Sequence, residues 1–412
     1  MATGKALGGK SHVENPHVRL DERECASAAT PRRGAMLYRR LIALMLSIEC
    51  LSAGVAWGRQ IAVDLRAPQP VARVQTAAKL AASSSVKLDG SLRKVNLDAG
   101  AADVGEVAIG DKLTFTLFDD VTITLTLKKK MPSPLGGEVF IAEASGYDGV
   151  KNAVVLRTAE GLTVDVQDYR NRKVYRVIST ATGVMVQEME AKGGKCGCDA
   201  LDPPNLTDKA STKLHKVKKV VAAKNVESDE TCVDILVAYD TNAATWANAN
   251  GGGVTNFAQM AVQRMNTVLV NNGLDWAFRF RLVGIAKVST SSANLDSTLD
   301  AATNGSGDWA PIKAKRDDVG ADIVTVLIDT GTAYGTTGLG WSLRTTDFES
   351  FAESAYNVCA IRSVAQSHTM THEVGHNMGC GHSDEMADRS NCGPQLYDYS
   401  AGCYITEWFP VE

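Results

Sequence analysis

His372, His376 and His382 are spaced by four and six residues, with Glu373 directly after the first and Gly379 three after the second. Written out, the stretch is H-E-x-x-H-x-x-G-x-x-H. Residues four apart share one face of a helix, so His372 and His376 can aim imidazole nitrogens at a single ion. Glu373 then stands beside the ion rather than on it. Gly379 tolerates the left-handed backbone that ends a helix, and the turn it permits brings His382 back as a third ligand. Three neutral imidazoles leave the fourth tetrahedral position of a zinc ion open, which separates a catalytic zinc site from a closed structural one. Such an ion activates water and stabilises a developing oxyanion, while Glu373, as general base, takes the water's proton and hands it to the leaving group. A bare H-E-x-x-H arises by chance on surface helices. Here three of the chain's seven histidines fall within eleven residues and the glycine is correctly placed, which argues against coincidence. His368 also has helical spacing to His372, but the ligand set is complete without it; it reads as a helix-start residue or as one that orients a ligand.

This stretch resembles the metzincin zinc metalloproteases, and Gly375-His376-Asn377 is most similar to the reprolysin-like and gametolysin-like branches. Bacterial peptidyl-Asp-type metalloendopeptidases are similar too. The resemblance covers residues 216–412, and the rest of the chain by its precursor layout only. It implies an α+β fold in which a mixed twisted sheet and a long zinc-binding helix follow a β-rich propeptide domain. It also implies a secreted zinc endopeptidase, made as a zymogen, that hydrolyses protein or peptide substrates. Two departures are visible. Ser383 follows His382, with Asp384 next, where reprolysins place an aspartate directly. Metzincins also carry a downstream methionine turn beneath the ligands; here Met386, four residues past His382, is too close for the chain to leave the site and return. The expectation is a C-terminally incomplete catalytic domain. The alternative is a catalytically inactive zinc-binding or interaction module derived from a metzincin.

The chain has 412 residues, 44% hydrophobic and 22% charged, which is ordinary globular composition with room for two or three domains. A net charge of −4 supplies no bulk attraction to nucleic acid or anionic membrane, so no nucleic-acid partner is expected. Nothing in the sequence fixes an oligomeric state. Arg39-Arg40 precede the apolar run Leu41–Ile48 and the small residues of Ala53–Ala56, the order of a secretory signal peptide. That run is too short to span a bilayer, so secretion without a stable membrane anchor is expected after signal cleavage. Residues 1–35 read as an unstructured or mis-assigned extension and 36–58 as the signal peptide. Of nine cysteines, Cys380 lies inside the histidine motif, where a thiol would compete for metal. A disulfide to Cys359, Cys392 or Cys403 is therefore expected, against the alternative of buried reduced thiols.

Residues 59–215 read as the β-rich propeptide and linker. Leu113, Phe115 and Leu117 alternate with threonines, Asp119-Asp120 makes a turn, and Val121, Ile123, Leu125 and Leu127 alternate again, predicting a hairpin. Further strands are expected at 139–142, 153–157, 162–166, 174–178 and 184–189, and a weak helix or linker at 74–85. Lysine, glycine and proline then mark an exposed linker, with Cys196 and Cys198 at its start. Either cysteine is a candidate inhibitory switch, because a thiolate can occupy the open zinc position. In the catalytic part, Cys232–Tyr239 reads as a buried strand, Thr255–Asn271 as an amphipathic helix, Phe278–Val283 as an alternating strand and Asp322–Ile328 as another buried strand. Gly331–Ser342 is a candidate edge strand for substrate pairing, and the zinc helix is expected from about Ser367.

Overall fold

A computed structural model describes residues 59–64, 91–97, 105–159, 161–180, 183–191, 195–196, 231–332, 335–344 and 348–382. The expected extension and signal segment, the weak helix or linker at 74–85, Cys198, and Ser383, Asp384, Met386, Cys392 and Cys403 lie outside the described residues.

Strands β1 (Gln60–Asp64) and β2 (Ser91–Leu97) form the two edges of a nine-stranded sheet. Between them lie β3 (Lys112–Phe118), β4 (Val121–Met131), β5 (Glu138–Ala144), β6 (Ala153–Thr158), β7 (Gly161–Asp168), β8 (Lys173–Thr180) and β9 (Gly183–Glu190). Consecutive strands from β3 to β9 pair antiparallel, as tight turns such as Asp119-Asp120 require. All the strands predicted in this region are present. Side chains alternate between faces: Phe115, Leu125, Phe140, Val155, Val164 and Val177 build one apolar core. On the other face, Met131, Val139, Ile141, Val154 and Leu156 form a smaller cluster.

The second sheet has six strands in the order β10-β14-β15-β13-β11-β12. Strand β10 (Lys195–Cys196) comes from the linker and β11 is Cys232–Tyr239. Helix α1 (Thr241–Asn250) begins at Asp240, whose side chain accepts from the Ala243 amide at 2.6 Å, a side-chain N-cap. Helix α2 (Val254–Asn271) and β12 (Arg279–Lys287) match the predicted amphipathic helix and alternating strand. Helices α3 (Leu295–Asn304) and α4 (Ala310–Val319) each end on a left-handed glycine, Gly305 and Gly320. Next come β13 (Ile323–Ile328), edge-proximal β14 (Thr336–Gly340), the short α5 (Phe348–Ala352) and β15 (Tyr356–Ala360). β14 runs antiparallel to β15, whereas β15, β13, β11 and β12 are mutually parallel. β15 carries no period-two signal because all five of its residues are buried.

Helices α6 (Ile361–Gln366) and α7 (Thr369–Asn377) follow. The helix bearing the histidine motif is thus nine residues long, not the long helix expected. Ser367 breaks the run by taking an extended conformation, φ −148° and ψ −176°, so α6 and α7 cannot merge. No helix among the described residues is long and apolar enough to cross a membrane.

Candidate metal centre and catalytic site

Helix α7 is placed by hydroxyls at its start and an amide at its end. Ser363, Ser367 and Thr369 link their hydroxyls at 2.7 and 2.8 Å, and Thr369 donates its backbone amide to Ser367 Oγ at 3.3 Å. At the far end, Asn377 Nδ2 donates to the carbonyls of Trp341 and Tyr356 at 2.8 and 3.0 Å, while Asn377 Oδ1 accepts from Asn357 Nδ2 at 2.8 Å. One buried amide thereby fixes the end of α7 to the chain leaving β14 and to the start of β15.

Beyond α7, Gly379 has φ +90°, a conformation that side chains other than glycine's rarely adopt. The turn returns the chain so that His376 Nδ1 lies 2.8 Å from the Cys380 carbonyl. A carbonyl only accepts, so Nδ1 carries the proton and the Nε2 lone pair faces the centre. His372 Nε2 lies 3.0 Å from Nε2 of both His376 and His382. The three imidazoles lie together in one cluster.

This donor set fits a zinc ion. Zinc–nitrogen bonds of about 2.0–2.1 Å in a tetrahedron separate the nitrogens by about 3.3 Å, against 3.0 Å for the His372–His376 and His372–His382 pairs and no more than 4.8 Å across the set. The His376 tautomer is the one a metal ligand needs. Burial pushes the His376 pKa down to about 4, with His382 and Arg344 adding to the fall while the Cys380 carbonyl opposes it. Burial likewise lowers His382. His372 keeps solvent access yet lies in a dense shell of protein atoms; desolvation and the two neighbouring rings lower its pKa well below 6.5. Neutral imidazoles at pH 7 are ready to bind metal without first losing protons.

Glu373, 1% exposed, sits under β14. Burial pushes its carboxyl well above 4.5, and a cation beside it would act in the opposite direction. Its space depends on glycine. A β-carbon at Gly340 would meet the Glu373 carbonyl oxygen at 3.1 Å, and one at Gly338 would strike the carboxylate itself. Cys359 lies buried on β15, its Sγ 3.7 Å from Asn357 Oδ1, and burial together with the Glu373 charge pushes the thiol well up.

The sequence reading misses Gly338, Gly340, Asn357 and Asn377 as parts of the site. The signals available are Asn377 directly after the second histidine and the Gly-Leu-Gly alternation on the edge strand. Of the three partners expected for Cys380, Cys359 is corrected: Cys359 is a buried free thiol and Cys380 an exposed one, while Cys392 and Cys403 lie outside the described residues. His368 is the N-cap residue of α7, outside the three-histidine cluster, with its Nε2 3.1 Å from the Tyr169 hydroxyl. The backbone of Cys196, in β10, pairs parallel to β14 in register with Gly338.

Residues 229–407 match the family model described as Reprolysin_5, metallo-peptidase family M12. This part of the chain is similar to the M12 metallopeptidases. A solved structure, metalloproteinase-II from Bacteroides fragilis, is similar over 84% of this chain and 94% of its own, at 11% identity and a TM-score of 0.42. No curated protein matches the chain. The histidine cluster spans α7, which carries His372 and His376, and the turn after it, which carries His382.

Proposed function

We propose that the chain is the zymogen of a secreted zinc endopeptidase, with His372, His376 and His382 holding the ion and Glu373 as general base. The observation that carries this reading is the clustering of three imidazole Nε2 atoms on the helix whose buried Glu373 carboxylate lies against β14. When bound, zinc supplies Lewis acidity toward a peptide carbonyl and an attacking water. Glu373 accepts the water's proton at a carboxylate oxygen and returns it to the leaving amine nitrogen, so the glutamate ends each turnover as it began. Burial of Glu373 excludes competing solvent from that transfer. The amide and carbonyl groups of β14 offer an extended peptide substrate a strand to pair with.

Latency is read from the N-terminal part. The linker lays β10 on β14 beside the site, occupying the edge a substrate would use. In this reading residues 59–215 are a propeptide, cleavage in the lysine-rich linker clears the edge, and Cys196 or Cys198 supplies a thiolate to the metal in the uncut chain. Secretion is supported by the basic, apolar and small residues of segment 36–58.

The test is zinc content by elemental analysis together with peptide cleavage, with and without chelator, before and after cutting the linker. Zinc near one per chain and chelator-sensitive cleavage that rises after cutting are expected. A folded, cut chain that retains zinc and hydrolyses no peptide would favour the inactive binding module instead. Replacing Cys196 and Cys198 with serine should release latency in the uncut protein; undiminished latency would leave steric blockage by β10 as the inhibitory device.

A further inference from the structure

The start of α7 is gripped by the nine-stranded sheet. Helix α6 ends at Gln366, and the carbonyls of a last helical turn have no partner within the helix. Two guanidiniums take them. Arg264, on α2, donates Nη1 to the carbonyls of Val364 and Ser367 at 2.6 and 2.9 Å, and Arg176, on β8, donates Nη2 to the Ala365 carbonyl at 2.9 Å. Both cations converge on one carboxylate. Asp165, on β7, accepts from Arg264 Nη2 at 2.7 and 2.8 Å and from Arg176 at 2.9 and 3.1 Å. All three side chains are no more than 3% exposed. With Asp165 between them the two cations carry one net positive charge, and it faces the negative end of the α6 dipole.

The residue anchored in this way is the one that separates α6 from α7. Ser367 is extended, and Arg264 fixes its carbonyl. The next residue, His368, accepts the His372 amide on its own carbonyl at 2.9 Å, the bond that opens α7 ahead of the first histidine of the cluster. The ring of His368 is held by the sheet. Tyr169, in the turn after β7, places its hydroxyl 3.1 Å from His368 Nε2, and the two rings stack with centroids 6.2 Å apart at 23°. Asp165 and Tyr169 thus reach the corner before α7 at two separate points.

The grip is set in a largely apolar contact. Met131, Val139, Ile141, Val154 and Leu156 of the sheet pack with Val270 of α2, and Val174 and Met189 enter the main core. A β-carbon on Gly252 would lie 2.5 Å from Ile178, so the backbone just ahead of α2 rests directly on the sheet. Salt screens a pair buried as deeply as Asp165 and Arg264 very little. Separation would bare the apolar face and leave the Arg264 cation without its carboxylate.

We infer that the nine-stranded sheet is a permanent part of the catalytic unit: Asp165 and Tyr169 are positioning residues for the histidine-bearing helix, and the sheet stays bound after the linker is cut. The inference rests on the zinc reading for what α7 carries. Cutting frees only β10, the linker strand that lies on β14. The inhibitory element is then the linker strand alone, and the edge opens while α7 keeps its support.

The experiment uses the full chain carrying a recognition site for a specific processing protease between residues 205 and 225, folded with zinc or cobalt(II) and then cut. Size-exclusion chromatography should show the two fragments together at about 0.1 M salt and still together at about 1 M. Tyr169→Phe removes one hydroxyl, and Asp165→Asn keeps the shape and loses the charge. Each should shift the visible cobalt(II) bands and weaken zinc retention against a chelator series by about tenfold. Each should also lower kcat by about tenfold with KM unchanged, measured below the temperature at which circular dichroism detects unfolding. A role confined to stability would lower the melting temperature and leave the bands and kcat alone. Should Asp165→Asn fail to fold, Tyr169→Phe and the salt series decide. Fragments that part at 1 M salt, or bands, zinc retention and kcat unchanged in both variants, overturn the inference. Fragments that stay together and never cleave peptide, with cobalt bands moved by the variants, refute the endopeptidase reading and leave the positioning role standing. Cleavage by a C-terminal fragment already separated from the sheet does the reverse.

Discussion

The carboxylate of Glu373 lies against the α-carbon of Gly338: a β-carbon there would meet Glu373 Cδ and Cγ at 2.7 Å, and Oε1 more closely still. Gly338→Ala should push the carboxylate aside while leaving the three imidazoles in place. The expected result is a loss of turnover of roughly 10- to 100-fold, part of the ~100- to 10,000-fold that a general base supplies, with zinc content unchanged. In a Glu373→Asp background the same alanine should cost less, since the shorter side chain retracts from the new methyl. Fully additive losses in the four-protein cycle would sink the steric account.

The histidines and the glutamate should separate cleanly by metal content. His372→Ala, His376→Ala and His382→Ala should each lower zinc stoichiometry and abolish peptide cleavage, since no other imidazole belongs to the cluster among the described residues. Glu373→Ala should keep zinc and lose most turnover. Full zinc retention by His382→Ala, measured by elemental analysis, rejects the three-histidine assignment.

Asn377 joins α7 to two strands through one side chain. Asn377→Ala leaves the Trp341 and Tyr356 carbonyls and the Asn357 amide without those buried bonds. A loss of about 2–4 kcal/mol is expected, read as a lower urea midpoint at unchanged slope. A midpoint within error of the parent would show the amide to be dispensable.

Acid should weaken the protein partly through Asp165. Desolvation pushes this carboxyl up, but Arg264 and Arg176 outweigh it and hold the folded-state value below 3.8. The unfolded chain then binds the proton more readily, so the stabilisation is complete above a pH of about 4 and disappears as pH falls through the depressed value. Urea midpoints measured from pH 6 down to 2 should fall less steeply in Asp165→Asn than in the parent. Superimposable acid limbs would remove Asp165 from the account.

The histidine motif is legible because it is local: spacing along one helix and one glycine turn bring three imidazoles together beside a buried carboxylate. The β3–β4 hairpin and the strands after it are legible because one face alternates. What escapes the sequence is set by long-range contact. β15 is buried throughout and shows no alternation, and Asn357 gains its role only when β15 brings it to Asn377. The length of α7 is lost for a different reason: the extended Ser367 is held by hydroxyl bonds to residues on both sides, a cost that helix propensity does not record. Cys359 is one of three partners that the sequence offers Cys380, yet it is buried on β15 while Cys380 is exposed on the turn after α7.

Helix α2 presents Met265 and Leu269 to the main core and Val270 to the small cluster on the nine-stranded sheet. Heat that melts this helix strips a wall from both at once. Two sheets with separate cores therefore form a single cooperative unit, and the intact chain should give one calorimetric peak whose van't Hoff and measured enthalpies agree.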